Sequence, residues 1–214
     1  MKKSILAIVF ITLTAVSCKN NKNKVATNEE VKTVKEVENV INSYKANVTK
    51  SIITWKGSKP TGSHDGIINL KSGVFNIENG IIKAGEFVVD MNSISCNDLE
   101  AGKGKEKLEK HLKNSDFFDV EKFPIAKFQI ASSEIKGSQL HITGNLTIKD
   151  ITKSITIPVT VTEKEGFTSL KSDAFSIDRT EFGVTYSSKK FSSALKDKFI
   201  NDLMEMSFEI IAKN

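Results

Sequence analysis

Arginine is almost missing from this chain. Of its 31 basic residues only Arg179 is an arginine, and the lysines are scattered without the arginine-aromatic interleaving of a nucleic-acid surface, which excludes nucleic acid as a partner. Histidine is equally sparse: His64, His111 and His141 are the whole supply, and no two of them have the spacing of a local metal motif. There is no Gly-x-Ser-x-Gly elbow, no Cys-x-x-Cys and no His-Glu-x-x-His, so an enzyme reading would rest only on carboxylates common to any protein surface. The longest apolar run, Ile5 to Val16, is about 12 residues, short of the ~20 that a helix needs to cross a bilayer. With 39% hydrophobic and 27% charged residues, wholesale disorder and a polytopic membrane protein are both excluded.

What is present begins with a targeting segment. Lys2 and Lys3 precede the apolar run, which ends at Ala15-Val16-Ser17-Cys18. This is the pattern of a signal peptide over residues 1–17. The small residues before Cys18 resemble a bacterial lipobox, in which the cysteine is acylated and heads the mature protein, although Ala15 stands where leucine is preferred. Cleavage removes two lysines, leaving 29 basic against 26 acidic residues, a mature charge of 29 − 26 = +3. With Cys18 acylated, Cys96 is the only remaining thiol. No intramolecular disulfide can then form, and Cys96 reads as a small buried hydrophobe. Lys19 follows the cysteine in place of the aspartate that resembles an inner-membrane retention signal, so the expected location is the periplasmic face of the outer membrane.

Residues 18–49 read as the acylated cysteine followed by a flexible tether, rich in Lys, Asn, Glu and Val. Val31, Val34, Val37, Ile41 and Tyr44 fall near helical spacing, so a short or transient helix is an option there. From residue 50 the period changes to alternation, which places the folded domain over 50–214. Ile155, Ile157, Val159 and Val161 alternate with polar residues, as do Met204, Met206, Phe208 and Ile210, the pattern of antiparallel strands with one dry face. Asn79-Gly80 sits between Val74–Ile77 and Ile81–Val89 and predicts a two-residue hairpin turn. Further turns predict strands near 125–135, 139–149, 153–163 and 167–178, about eight in all. Leu108 and Leu112, spaced i,i+4 among lysines and glutamates, predict one short helix over about 103–115. Periodicity leaves open whether these strands make a sandwich or a closed barrel.

Three segments carry a resemblance. Lys107-Leu108-Glu109-Lys110-His111-Leu112-Lys113-Asn114-Ser115-Asp116-Phe117-Phe118-Asp119-Val120-Glu121-Lys122-Phe123-Pro124, followed by Ala126 and Phe128, closely resembles the hallmark of the YceI-like family. Gly144 to Lys153 and Ile177 to Gly183 agree in order and spacing, with Asp150 standing where glycine is usual. Trp55 and Ser63-His64-Asp65-Gly66 also depart from other branches. The resemblance implies an all-β fold, an eight-stranded antiparallel lipocalin-like barrel with the one helix inserted. It implies an interior that holds an isoprenoid lipid of quinone or polyprenyl type, and it brings no reaction and no cofactor.

Within such a barrel, Phe117, Phe118, Phe123, Phe128, Phe175 and Phe182 are candidates for lining the pocket, with ordinary core as the alternative for each. Trp55 adds an N–H that wants a polar partner. Arg179 would hold a quinone carbonyl or phosphate, or else make a barrel-closing ion pair. His111 shares a helix face with Leu108, placing it to cap the pocket. Two rival readings remain: a metal-dependent enzyme or metal-binding protein built on His64, His111 and His141, and a structural or adhesive protein with a filled lumen.

Overall fold

The computed structural model describes residues 23–29, 31–35 and 43–214. The proposed signal peptide, Cys18, Val37 and Ile41 lie outside the described residues. Ten strands form one antiparallel sheet: β1 (Ser43–Ala46), β2 (Ile52–Lys59), β3 (Gly62–Glu78), β4 (Ile81–Cys96), β5 (Ile125–Lys136), β6 (Gln139–Ile148), β7 (Ile151–Lys164), β8 (Phe167–Ser172), β9 (Phe175–Asp178) and β10 (Leu203–Lys213). A single α-helix, α1 (Lys105–Lys113), lies between β4 and β5 among the described residues.

Ten strands reconcile with the expected eight because two positions in the wall are interrupted. β1 and β2 both run antiparallel to β10 and to β3, so they are successive pieces of one strand position. β8 and β9 both pair with β10 on its other edge and form a second broken position. β10 therefore lies between the first and last strands and closes the sheet into a ring, which removes the free edges of an open sheet.

The hairpins follow from local chemistry. Asn79 (φ 53°) and Gly80 (φ 75°) take the two left-handed positions that a two-residue turn requires. Lys149 (φ 50°) and Asp150 (φ 60°) do the same between β6 and β7, so aspartate serves where the family prefers glycine. Outer-face threonines pair across strands, Thr143 with Thr156 and Thr147 with Thr152, each at 2.8 Å.

The segment ahead of residue 50 is not wholly a solvated spacer. The sheet begins at Ser43, and Tyr44 sits in β1 with its ring stacked on Phe75 at 5.4 Å. Residues 31–35 are not helical. Upstream, β7 pairs with β8 only from Val159 onward, while β9 pairs only with β10, so a gap separates β9 from the first half of β7. Residues 24–28 fill it. Val25 and Ser154 donate to Ser176 and Asn28 carbonyls, and Ser176 and Asn28 N–H groups go to Asn23 and Ser154 carbonyls, all at 2.9–3.0 Å. The Val25 side chain is buried in the core, and Lys153, itself buried, pairs with Glu29. Unpaired strand edges would otherwise leave their backbone groups without partners, and an apolar residue flanked by donors and acceptors is what such a gap accepts.

Candidate functional site

Inside the ring the two ends differ. Toward the β3–β4 and β5–β6 hairpins the lumen is filled. Phe75, Ile82, Ile130, Val159 and Ala212 are each 0% exposed, and Phe75 also packs its ring against Phe87 at 5.9 Å. Toward α1 and the β2–β3 turn the lumen stays open as a cavity of about 500 Å³, within the range of small-ligand sites. Its walls are aliphatic and aromatic, with Ile53, Leu70, Val89, Ile142, Ile157 and Phe208 among them. Polar groups gather at the mouth: Lys56, Lys59, His64 and Lys198. The structural reading with a filled lumen therefore fails, because inward positions such as Leu146, Met206 and Phe208 remain partly uncovered although they point into the barrel.

Seven of the eight expected contact residues border this cavity: Trp55, His111, Phe117, Phe118, Phe128, Phe175 and Arg179. Phe182 does not. It lies fully buried in the core, in the 3-10 helix Arg179–Phe182, so it supports the site by packing. Phe123 also stays off the cavity, under the Lys122 ammonium at 5.1 Å.

Backbone approach positions the aromatics. Trp55 pairs across the sheet with Gly66, where a Cβ would come within 2.7 Å of the indole ring and 1.9 Å of the Ser95 carbonyl; only glycine fits. Phe128 likewise covers Gly144, at 2.7 Å from where a Cβ would stand. The Trp55 N–H donates to the Ile67 carbonyl at 3.2 Å, which meets its need for a polar partner within the protein.

The rim is built by α1 and the loop that follows. Leu108, His111 and Leu112 turn toward the lumen from one helix face. The His111 ring packs edge-on against Phe117 and Tyr186, each at 4.9 Å, and its Nε2 lies 3.3 Å from Asp116. Lys149 ties this rim to the barrel by donating to the Phe117 carbonyl at 2.9 Å. Glu109 anchors the helix to the end of β4, accepting from the Cys96 N–H at 2.9 Å and from the Ser95 hydroxyl at 3.2 Å.

Arg179 is 2% exposed. It donates to the carbonyls of Val184 (2.6 Å), Asn201 (3.1 Å) and Ile200 (3.1 Å) and to Asp202 (3.4 Å). Four of its five N–H groups are thereby engaged, and its main work is to pin the 179–184 turn to the 200–202 segment at the cavity mouth. Burial lowers its pKa, and Asp202 and Asp178 oppose that. Neighbouring Asp178, also 2% exposed, is pushed up by burial. Hydrogen bonds from Lys190 (2.6 Å) and Thr180 outweigh that and hold it below the ordinary carboxylate range.

The three histidines do not converge. His64 and His111 border the cavity, whereas His141 is on the opposite face of β6 from the cavity-lining Ile142. A site made from all three is ruled out by this geometry. The wall residues that the sequence reading missed include Met204, Met206 and Phe208, whose alternation along β10 was already visible, and Tyr186, which sits in a loop with no periodic signal.

Residues 40–212 match the family described as YceI-like domain. The proteins named Protein YceI from Salmonella arizonae and Salmonella newport are each 38% identical over 69 residues, 32% of this chain and 32% of theirs. The matched stretch thus spans about a third of the length of these curated relatives. Among solved structures, Burkholderia cenocepacia BcnA aligns with a TM-score of 0.62 at 17% identity, over 78% of this chain and 98% of its own. A polyisoprenoid binding domain from Saccharophagus degradans, implicated in plant cell wall breakdown, aligns at 0.59 and 11% identity, over 80% and 98%. At these identities the structural likeness establishes the fold.

Proposed function

The chain belongs to the YceI-like family, and on that premise we propose that its barrel binds an isoprenoid lipid of quinone or polyprenyl type, apolar tail in the lumen and polar head at the mouth. The observation that carries this reading is the one-ended cavity, about 500 Å³ and lined by aliphatic and aromatic side chains, with lysines and His64 only at its opening. That distribution suits an amphipathic molecule entering tail first. Each buried methylene contributes about 0.8 kcal/mol, so the tail supplies affinity and the mouth supplies orientation. The polyisoprenoid-binding domain among the structural neighbours supports the same class of ligand.

The role is storage, shielding or transport without catalysis. Acylated Cys18 holds the protein to the outer membrane, facing the periplasm. Because residues 23–29 lie against the barrel wall, only Lys19 to Lys22 separate the anchor from it, at most about 18 Å of extended chain from Cys18 to Asn23. The anchor therefore keeps the barrel close to the lipid surface, nearer than a free tether of about 30 residues would.

The test is native mass spectrometry combined with organic extraction of protein purified from its own membranes. A stoichiometric isoprenoid is expected. An empty barrel from native membranes, unable to take up added quinone or polyprenol, would overturn the reading.

A further inference from the structure

Cys96, His64 and Asp98 come together at the barrel mouth although 34 positions separate the outer two in sequence. The thiol of Cys96 donates to Asp98 Oδ1 at 3.0 Å, and His64 Nδ1 lies 2.8 Å from Asp98 Oδ2. One donor atom from each residue falls within 4.8 Å of the others. The strands build this arrangement. Cys96 ends β4 opposite Gly66 of β3, and His64, two positions before Gly66, shares its face. The Asp65 N–H donates to Asp98 Oδ1 at 3.1 Å, and the Asn97 N–H to the Asp65 carbonyl at 2.8 Å, which fixes the turn that presents the carboxylate.

We propose that Cys96, His64 and Asp98 form a binding site for one divalent cation of zinc type, with a water in the fourth position. A thiolate, an imidazole and a carboxylate are the ligand types that zinc accepts in tetrahedral geometry, and three protein ligands leave one position open. Without the ion, protons shared between the same three groups hold them in place. On binding, the Cys96 thiol releases its proton to solvent and the sulfur takes up the metal. Cys96 supplies its ligand from full burial, at 0% exposure, while His64 and Asp98 are 35% and 29% exposed, so an ion has a route from solvent to a fixed sulfur. The backbone N–H of Cys96 is held by Glu109 of α1, a hydrogen bond that would steady the sulfur. His64 also borders the lumen, so the ion sits at the rim of the cavity.

This site differs from the three-histidine constellation, since His111 and His141 take no part. The experiment is a titration of the full chain, stripped with a chelator, with Co²⁺ and then Zn²⁺. One equivalent of Co²⁺ should produce a thiolate-to-cobalt charge-transfer band with tetrahedral d–d absorption, and Zn²⁺ should bleach both. C96S should abolish the charge-transfer band. H64Q and D98N should each weaken binding by more than the about tenfold that a lost supporting hydrogen bond costs, and H141Q should leave it unchanged. H64Q alters a part-exposed side chain outside the core, so it decides the question if C96S fails to fold. A folded wild type that shows no thiolate band, or a band that persists at unchanged affinity in both H64Q and D98N, would overturn the proposal.

Discussion

Replacing Val89 by tryptophan tests whether the lumen is where the lipid lies. Val89 is on β4, opposite Ala126, part-buried and facing the cavity. An indole in place of its isopropyl group adds about seven heavy atoms, and these enter a void of about 500 Å³ and not a packed core. Overpacking a filled site costs about 1–3 kcal/mol. Here the added apolar contact offsets most of that, and stability should stay within ~1 kcal/mol of wild type. The ligand bears the loss. If the ring displaces on the order of five methylene equivalents of the tail at about 0.8 kcal/mol each, affinity falls by roughly 4 kcal/mol, about a thousandfold. Fluorescence titration with a labelled isoprenoid, beside a thermal melt of the same sample, reads both quantities. Ile135→Trp, at a position 62% exposed beside the β5–β6 turn and outside the cavity lining, is the control and should bind normally. A folded V89W protein that retains its lipid at wild-type affinity would show that the tail does not occupy this cavity.

Arg179→Leu should destabilise the domain by about 3–5 kcal/mol, read by urea unfolding, because three carbonyls and Asp202 lose a buried partner; Arg179→Lys should rescue little, since an ammonium cannot span that fork. Asp178 is held below its ordinary value when folded. Its contribution is therefore present above the unfolded carboxylate value of about 4 and is lost as pH falls through the folded one; an acid titration of stability should show a steep loss below about pH 4 that D178N makes shallower. Deleting residues 23–32 removes four backbone hydrogen bonds and buried Val25, and should lower stability by about 2–4 kcal/mol in calorimetry; an unchanged melting temperature would mean that the segment merely rests on the wall. Cys18→Ala should give a protein released from membranes with an unaltered melting temperature and slower lipid exchange with vesicles, because the local concentration conferred by the anchor is gone; exchange at the wild-type rate would leave the anchor with no part in transport.

Much of the wall was legible in the sequence because the information is local. Strand periodicity in 155–161 and 204–210, the Asn79-Gly80 turn, and the i,i+4 leucines of α1 each depend on residues a few positions apart, and the structure has them where those signals lie. Sequence named Phe117, Phe118, Phe123 and Phe128 of the hallmark segment as lining candidates with ordinary core as the alternative for each, and could not separate the three that border the cavity from Phe123, which does not. It did not distinguish Phe182, which a 3-10 turn buries in the core away from the cavity lining.

What only the tertiary structure decided are relations between distant parts of the chain. That β10 lies between β2 and β8, so that the sheet closes, depends on pairing with a strand at the far end of the chain. That residues 24–28 fill a gap in the wall depends on β8 breaking before β9, and a polar stretch gives no local sign of its distant partners Ser154 and Ser176. Whether the lumen is full or empty depends on side-chain volumes summed over every strand. Alternation shows which face is dry, and packing alone shows that Phe75, Ile82 and Ile130 fill one end while the other stays open. The meeting of Cys96 and Asp98 with His64 has the same origin, since strand register sets it and no spacing in the sequence encodes it.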